Sequence, residues 1–218
     1  MTRFRVLHLS ALFAGLAASP AAGQVTLGAK VGASLSDLVF TGVEINEREA
    51  RRGIVAGASL ALPVSGALGL QVEGSLVERG ATLSLLQLGD VEYAIDYVQI
   101  SALGRATLPV GGSRSFLYLL AGPVIALETT CEATVTLVLQ RETEKRPCDD
   151  EELNTPSKPV DFALAAGAGA EVAVTGRVGL SLDIVYTYGI RSIYDGELDR
   201  TSHNRATTVQ AGLLFRAG

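Results

Sequence analysis

Apolar and polar positions alternate along residues 177–193, and this alternation predicts a β-strand. The apolar positions of the repeat are Val178, Leu180, Leu182, Ile184, Tyr186 and Tyr188. A period of two residues is typical of a strand, in which successive side chains point to opposite faces. The segment exceeds the usual strand of about five or six residues, and it suits a tilted strand that crosses a bilayer in about 9–11 residues. Its polar face must then meet an enclosed interior.

Seven other segments are predicted strands, at 25–36, 53–62, 67–79, 91–108, 116–127, 160–174 and 205–216, and all except 116–127 show this alternation. Short turns and longer loops alternate between them, and the long outer loops fall at 37–52 and 128–159. Tight periplasmic turns and larger external loops are typical of outer-membrane barrels. An even number of strands also lets the first strand pair with the last, which removes exposed edges. The sequence therefore predicts an all-β, eight-stranded, antiparallel up-and-down transmembrane β-barrel.

The segment 116–127 is apolar at both sets of alternate positions, so its outward face stays open. Pro123 lies inside this segment. Proline lacks the N–H that a ladder needs, so we expect a bulge or a local break there.

The N-terminus has the features of a secretory signal peptide. Arg3 and Arg5 precede an apolar run over 6–18, and small residues follow before Gln24. The run is shorter than the roughly 20 residues of a spanning helix. We therefore expect residues 1–23 to be a signal peptide that is removed on export, and residues 24–218 to form the barrel domain in the cell outer membrane.

Composition narrows the class of protein further. Hydrophobic residues make up 48% of the chain, but they are scattered through alternating segments and form no further helix-length block, which excludes a helical membrane protein. The net charge of -5 comes with no basic stripe among aromatics, so nucleic acid is not an expected partner.

Charged and amide side chains occupy the faces that alternation turns inward. We expect a polar lumen network of Lys30, Glu73, Arg79, Gln99, Arg105, Glu171, Asp183 and Gln210, with Gln71 and Arg216 beside it. An eight-stranded barrel has an interior that its side chains fill. Enclosed charges are costly unless they are paired. A plugged, salt-bridged lumen is therefore favoured over an open pore, whereas a soluble barrel would reverse the pattern.

Cys131 and Cys148 are the two cysteines of the chain. An exported protein matures in an oxidising compartment, so we expect a disulfide between them. The surrounding loop has no histidine, so no metal site is predicted. Its acidic run at residues 149–152 could attract calcium, but a solvated acidic loop is the preferred interpretation.

Candidate catalytic chemistry is sparse. His203 adjoins Ser202 and lies near Asp195 and Asp199. Neighbouring residues of an extended chain point to opposite sides, so a Ser202 and His203 dyad is disfavoured. Residues 167–169 contain two glycines but lack the rest of a dinucleotide-binding motif. We expect no catalytic residue and no cofactor.

Several stretches together resemble the bacterial outer membrane protein β-barrel domain family that is often described as PorT-like. They are AKVGASLSDL, GIVAGASLALPVSGALGLQVEGSLVERGATL, DYVQISALGRATLP, FLYLLAGPVIAL, GAGAEV and LSLDIVYTYGI. The resemblance covers most of the chain after residue 23. It implies an outer-membrane barrel of about the size of OmpX, and it brings no set of catalytic residues.

Three functions follow as hypotheses. The first is a non-enzymatic barrel with a structural or surface-binding role through its outer loops, for which the extracellular ligand is unknown. The second is a narrow, porin-like channel for small solutes. The third is a membrane-embedded hydrolase, which unchanged activity of His203→Ala would eliminate. Expected partners are outer-membrane lipid and, during biogenesis, the barrel assembly machinery.

Overall fold

The computed structural model describes residues 24–41, 47–85, 89–110, 114–137, 142–148, 159–191 and 201–217. This part of the chain forms nine β-strands: β1 (Val25–Thr41), β2 (Glu47–Ser65), β3 (Leu68–Leu85), β4 (Gly89–Pro109), β5 (Ser115–Leu137), β6 (Glu142–Pro147), β7 (Val160–Ala173), β8 (Val178–Gly189) and β9 (Thr201–Ala217). No α-helix among these residues is long and apolar enough to cross a bilayer. The expected signal peptide lies outside the described residues.

Eight of the strands form a closed ring. The order is β4, β3, β2, β1, β9, β8, β7 and β5, and pairing between β5 and β4 completes the circle. Neighbours are antiparallel throughout, and β1 pairs with β9 along its whole length, from Val25 opposite Ala217 to Thr41 opposite Thr201. The predicted eight-stranded, up-and-down antiparallel barrel is therefore confirmed. The additional strand, β6, pairs with the last residues of β5, from Glu132 to Leu137.

Alternation along β8 turns its apolar side chains outward. Leu180 and Leu182 are each 53% exposed, whereas Ser181 between them is 7% exposed and Asp183, next along the strand, is 0% exposed. The same arrangement surrounds the barrel with a belt of exposed apolar side chains that includes Leu27, Val31, Leu35, Ile54, Leu68, Leu76, Ile100, Leu119, Ile125, Leu164, Ile184, Val209 and Leu213. A continuous apolar surface of this kind is typical of membrane contact. Apolar side chains therefore face the outside of the barrel, whereas ionic side chains such as Lys30 and Asp183 are enclosed.

Connections at one end of the barrel are tight, as in β2 to β3 and β7 to β8, and we call this the turn end. The opposite end, where the predicted outer loops lie, is the loop end. There the strands continue beyond the predicted limits. Part of the predicted loop 37–52 belongs to β1 and β2, and part of the predicted loop 128–159 belongs to β5 and β6. The sequence did not predict these extensions because their charged residues show no apolar alternation. Backbone pairing nevertheless continues where both faces of a strand are solvated.

Pro123 interrupts one ladder without ending the strand. Strand β5 is continuous, and its pairing with β4 passes from Ser101 opposite Val124 to Gly104 opposite Ala121 in the same register. Two residues of β4 thus lack a paired partner beside the proline. The outcome is a local break and not a bulge.

Candidate functional site

The lumen contains the polar side chains that the sequence analysis grouped together. Seven of the eight predicted network residues are buried and Arg105 is half-buried. They come from β1, β3, β4, β7, β8 and β9. Alternation along these strands directs them all inward, so the structure brings them together in one enclosed space.

Lys30 joins two carboxylates near the middle of the barrel. Its Nζ lies 2.8 Å from Glu73 Oε2 and 2.9 Å from Asp183 Oδ2. All three side chains are at most 8% exposed. The Tyr118 hydroxyl donates a hydrogen bond to Asp183 Oδ1. This unit carries one positive and two negative charges.

A second unit lies closer to the turn end. Arg105 Nη2 is 2.7 Å from Glu171 Oε2, and Arg216 pairs with Oε1 of the same carboxylate. This unit carries two positive charges and one negative charge. Gln71 connects the two units, because its Oε1 accepts from Arg105 Nη1 at 3.1 Å and its Nε2 donates to Glu73 Oε2 at 3.3 Å. Together they hold three cations and three anions, so the network is neutral.

Tyr118 is a member of this network that the sequence analysis did not identify. The Arg105 guanidinium lies 3.8 Å from the centre of the Tyr118 ring, within the range of a cation–π contact. The ring also occupies the space that a side chain at Gly169 would fill, since an added Cβ would lie 2.5 Å from ring carbons. Strand β5 is apolar at both sets of alternate positions, so no periodic signal could have placed Tyr118 inside.

A third cluster lies nearer the loop end. Arg79 is 2% exposed, donates through Nη2 to Gln99 Oε1 and packs over the Tyr97 ring. Asp161 and Asn204 are each 1% exposed, and no described group makes a hydrogen bond with their side-chain oxygens. Asp161 occupies the same set of alternate positions in β7 as Glu171, so alternation could have placed it in the lumen. Asn204 directly precedes the predicted strand 205–216, outside every predicted strand, so alternation could not identify it.

Gln210 completes the predicted set. It is 4% exposed and lies opposite Asp183 in the register of β8 and β9. Its Nε2 donates to Thr208 Oγ1 at 3.5 Å. Gln210 is thus held on its own strand and is not joined by a hydrogen bond to the charged units.

Apolar side chains fill the other side of the lumen. Leu103, Leu120 and Val124 are at most 3% exposed and pack with Tyr118, Ala163 and Ala165. Water in an open channel would reach inward-facing side chains and leave them accessible. The burial of both the ionic and the apolar sides therefore describes a filled interior in the residues that the structure covers.

A cleft of about 390 Å³ opens at the turn end of the barrel. Phe116 and Arg216 are among its lining residues, together with Gln24, Arg114, Ala173, Val174, Thr175 and Gly176. Arg216 also pairs with Glu171, so the ionic network forms the inner limit of this cleft.

A disulfide joins Cys131 and Cys148 at the loop end. Cys131 lies in β5 and Cys148 directly follows β6, where its N–H donates to the Cys131 carbonyl at 3.2 Å. The bond therefore fastens the base of the β5–β6 hairpin. Residues 149–152, which form the acidic run, lie outside the described residues. In the part of the chain that is described, no group of three or more His, Cys, Asp or Glu residues is placed to hold a metal ion.

His203 faces the outside of the barrel. Its ring stacks on Tyr188, with centroids 5.9 Å apart, and its Nδ1 lies 3.0 Å from the Gly189 carbonyl oxygen. The side chain of Ser202 lies outside the described residues. The stacking gives His203 a role in packing at the barrel surface.

A known protein family matches most of the chain. The profile of a family described as "Outer membrane protein beta-barrel domain" matches residues 17–195. A comparison with curated proteins gives no significant match.

Several solved structures have a similar fold. Neisserial surface protein A is 15% identical with a TM-score of 0.51, and the match covers 88% of this chain and 97% of that one. OprG from Pseudomonas aeruginosa is 12% identical with a TM-score of 0.50, covering 89% and 97%. At these identities the likeness concerns the fold alone.

Proposed function

Because this chain belongs to the outer membrane protein beta-barrel domain family, we propose that it is a closed, non-enzymatic barrel whose loop end forms a recognition surface outside the cell. The family implies a location in the outer membrane. Under this proposal the N-terminal segment directs export, the turn end faces the periplasm and the apolar belt contacts membrane lipid.

The neutral ionic network is the observation that carries the proposal. Its Lys30 unit has an excess negative charge and its Glu171 unit has an excess positive charge, and Gln71 links the two. Each charge of these two units thus has a partner inside the barrel. A conducting lumen needs charges that solvent and ions can reach, whereas these side chains are satisfied by one another.

The loop end supports a binding role because it is rigidly built. Strand β5 extends to Leu137, pairs there with both β4 and β6, and is tied to the end of β6 by the disulfide. Exposed side chains with both signs of charge, such as Glu144 and Lys145, lie on this hairpin. A paired, cross-linked hairpin offers a partner a surface with little conformational entropy to lose.

Single-channel recording in planar bilayers tests the proposal. The full-length protein, purified and reconstituted, is expected to give no steady openings. The control is the triple variant Lys30→Ser, Glu73→Ser, Asp183→Ser, which removes the middle of the network and is expected to conduct. Openings in the variant alone would support a plugged barrel. Steady openings of the unaltered protein would contradict it.

A narrow channel is the second candidate, favoured by the buried Asp161 and Asn204 near the loop end. Both carry oxygens without a hydrogen-bond partner among the described groups, and polar groups of this kind suit a water-filled mouth. This candidate requires conductance by the unaltered protein that falls when Asp161 is replaced by asparagine.

A further inference from the structure

The cleft at the turn end is the mouth of the lumen on that side of the barrel. Phe116 has the same parity along β5 as the buried Tyr118, and Arg216 has the same parity along β9 as the buried Leu214. Residues 174–176, between β7 and β8, also line the cleft. Its volume of about 390 Å³ falls within the range of about 300–1,000 Å³ that is typical of small-molecule sites.

Hydrogen-bond donors line this cleft. Arg114 and Gln24 are exposed there and contribute a guanidinium and an amide. Thr175 Oγ1 accepts from the N–H groups of Arg177 and Val178 at 3.2 and 2.9 Å, so its own hydroxyl hydrogen is left to donate. No Asp or Glu is among the described residues that line the cleft. The cleft therefore suits a ligand that accepts hydrogen bonds.

Positive charge predominates at the cleft. Arg216 and Arg105 share the single carboxylate of Glu171, so the part of the lumen network beside the cleft is the part with an excess of positive charge. Arg114 forms no ion pair with another residue that the structure describes. Because the lumen network is neutral as a whole, Arg114 adds one uncompensated positive charge among the side chains of the cleft. A singly charged anion would balance it.

Apolar side chains form the rest of the lining. Phe116 is half-buried, Val174 is 56% exposed, and Ala173 lies between them and the lumen network in the lining of the cleft. An inorganic anion would use the donors and leave this surface wet. A ligand with an apolar body would cover it as well, and small-molecule sites commonly combine apolar walls with a few polar groups that fix orientation.

We propose that the turn-end cleft binds a small organic carboxylate with an apolar or aromatic body. Arg114 pairs with the carboxylate, because the guanidinium fork matches its two oxygens. Thr175 and Gln24 supply further donors, and the Phe116 ring contacts the apolar body. Arg216 stays engaged with Glu171 and forms the inner limit of the site. In the orientation proposed above the ligand comes from the periplasm, but binding itself depends on the cleft alone.

Isothermal titration calorimetry of the purified full-length protein in neutral maltoside micelles tests the proposal. The probe is N-acetylphenylalanine, and protein-free micelles supply the blank. Its neutral amide, N-acetylphenylalaninamide, keeps the apolar body without the charge and should bind about tenfold more weakly or less. Acetate keeps the charge without the apolar body, and it should also bind more weakly than the probe.

Three variants locate the site. Arg114→Gln should weaken binding of the probe about tenfold, because it removes the unpaired guanidinium and leaves the lumen network intact. Arg177→Gln is the matched control, since Arg177 is an exposed arginine of the same turn that does not line the cleft, and it should bind as the unaltered protein does. Gly176→Leu adds a side chain where nothing lies within 4 Å of a Cβ, so it should reduce binding by filling the cleft without a change of charge. Heat-modifiable migration on gels verifies that each variant is folded.

Several results would overturn the inference. They are no binding of the probe up to its solubility limit, equal binding of the neutral amide, unchanged binding in both Arg114→Gln and Gly176→Leu, or an equal loss in Arg177→Gln. Tighter binding of inorganic phosphate than of the probe would contradict the ligand class. Conductance does not enter these titrations, so a conducting barrel that binds the probe would contradict the proposed function alone. A silent barrel that fails to bind it would contradict this inference alone.

Discussion

Lys30 is placed between two acidic side chains in a space that water does not reach. An ammonium group there offsets the desolvation of Glu73 and Asp183 only because both lie within 3 Å of it. Removing one partner of a buried pair leaves an uncompensated charge, which costs far more than the pair contributes. The lumen is therefore sensitive to single charge changes.

Replacement of Lys30 by methionine should destabilise the barrel by about 3–5 kcal/mol. The side chain keeps its length, but two buried carboxylates lose their cation. Urea unfolding in detergent micelles would measure the change. Lys145→Met is the matched control, because Lys145 is 71% exposed and lies 4.0 Å from Glu132, where a surface pair is worth about 0–1 kcal/mol. Equal effects in the two variants would contradict the enclosed network.

Gly169 has no side chain, and the Tyr118 ring occupies the space that a side chain there would fill. A methyl group there would overlap the tyrosine ring and Asp183 Oδ1, so Gly169→Ala should cost about 1–3 kcal/mol through overpacking. The same urea titration applies. Gly74→Ala serves as the comparison, since nothing lies within 4 Å of a Cβ added at that lipid-facing position, and it should leave the midpoint almost unchanged.

At the scale of elements, the β5–β6 hairpin differs from the rest of the barrel wall. Its strands pair with each other beyond the point where β7 begins, and the disulfide closes this segment at its base. Constraint of the unfolded chain is the main effect of such a bond. The hairpin should therefore depend on the disulfide more than the ring does.

The double variant Cys131→Ser, Cys148→Ser should keep an intact barrel with a loosened hairpin. The chain-entropy model assigns about 3 kcal/mol to a loop of this length. Limited trypsin digestion in vesicles should cut after Lys145 faster in the variant, while heat-modifiable migration on gels stays the same. Equal cleavage rates would show that strand pairing alone fixes the hairpin, and loss of heat-modifiable migration would show that the ring depends on the bond.

At the scale of the whole molecule, the apolar belt and the filled lumen define a barrel that is inverted relative to a soluble protein. Leu182→Arg, near the middle of the belt, should destabilise the protein in phospholipid vesicles by about 2–4 kcal/mol. Ile190→Arg lies beyond β8 at the loop end, where the cost should fall to about 0–1 kcal/mol. Chemical unfolding of both variants from vesicles would show this dependence on depth, and equal costs would contradict the membrane placement of the belt.

Much of this architecture could be predicted from the sequence because a period of two residues assigns each side chain to a face. Lys30, Glu171 and Asp183 were placed in the lumen on that basis alone. Which charges meet could not be predicted, since pairing across the interior depends on register and strand tilt. Tyr118 was missed because β5 is apolar on both faces. The extensions of β1, β2 and β5 were missed because solvated strands carry no apolar signal.

The pairing of β1 with β9 along its full length joins segments from opposite ends of the described chain. Until β1 and β9 pair, each strand has a row of backbone N–H and C=O groups without hydrogen-bond partners, which hydrocarbon cannot supply. An incomplete barrel with unpaired strand edges would therefore be unstable in the bilayer, whatever the number of strands already paired. We expect insertion to proceed as a single cooperative step, in which the cylinder is sealed as it enters the membrane.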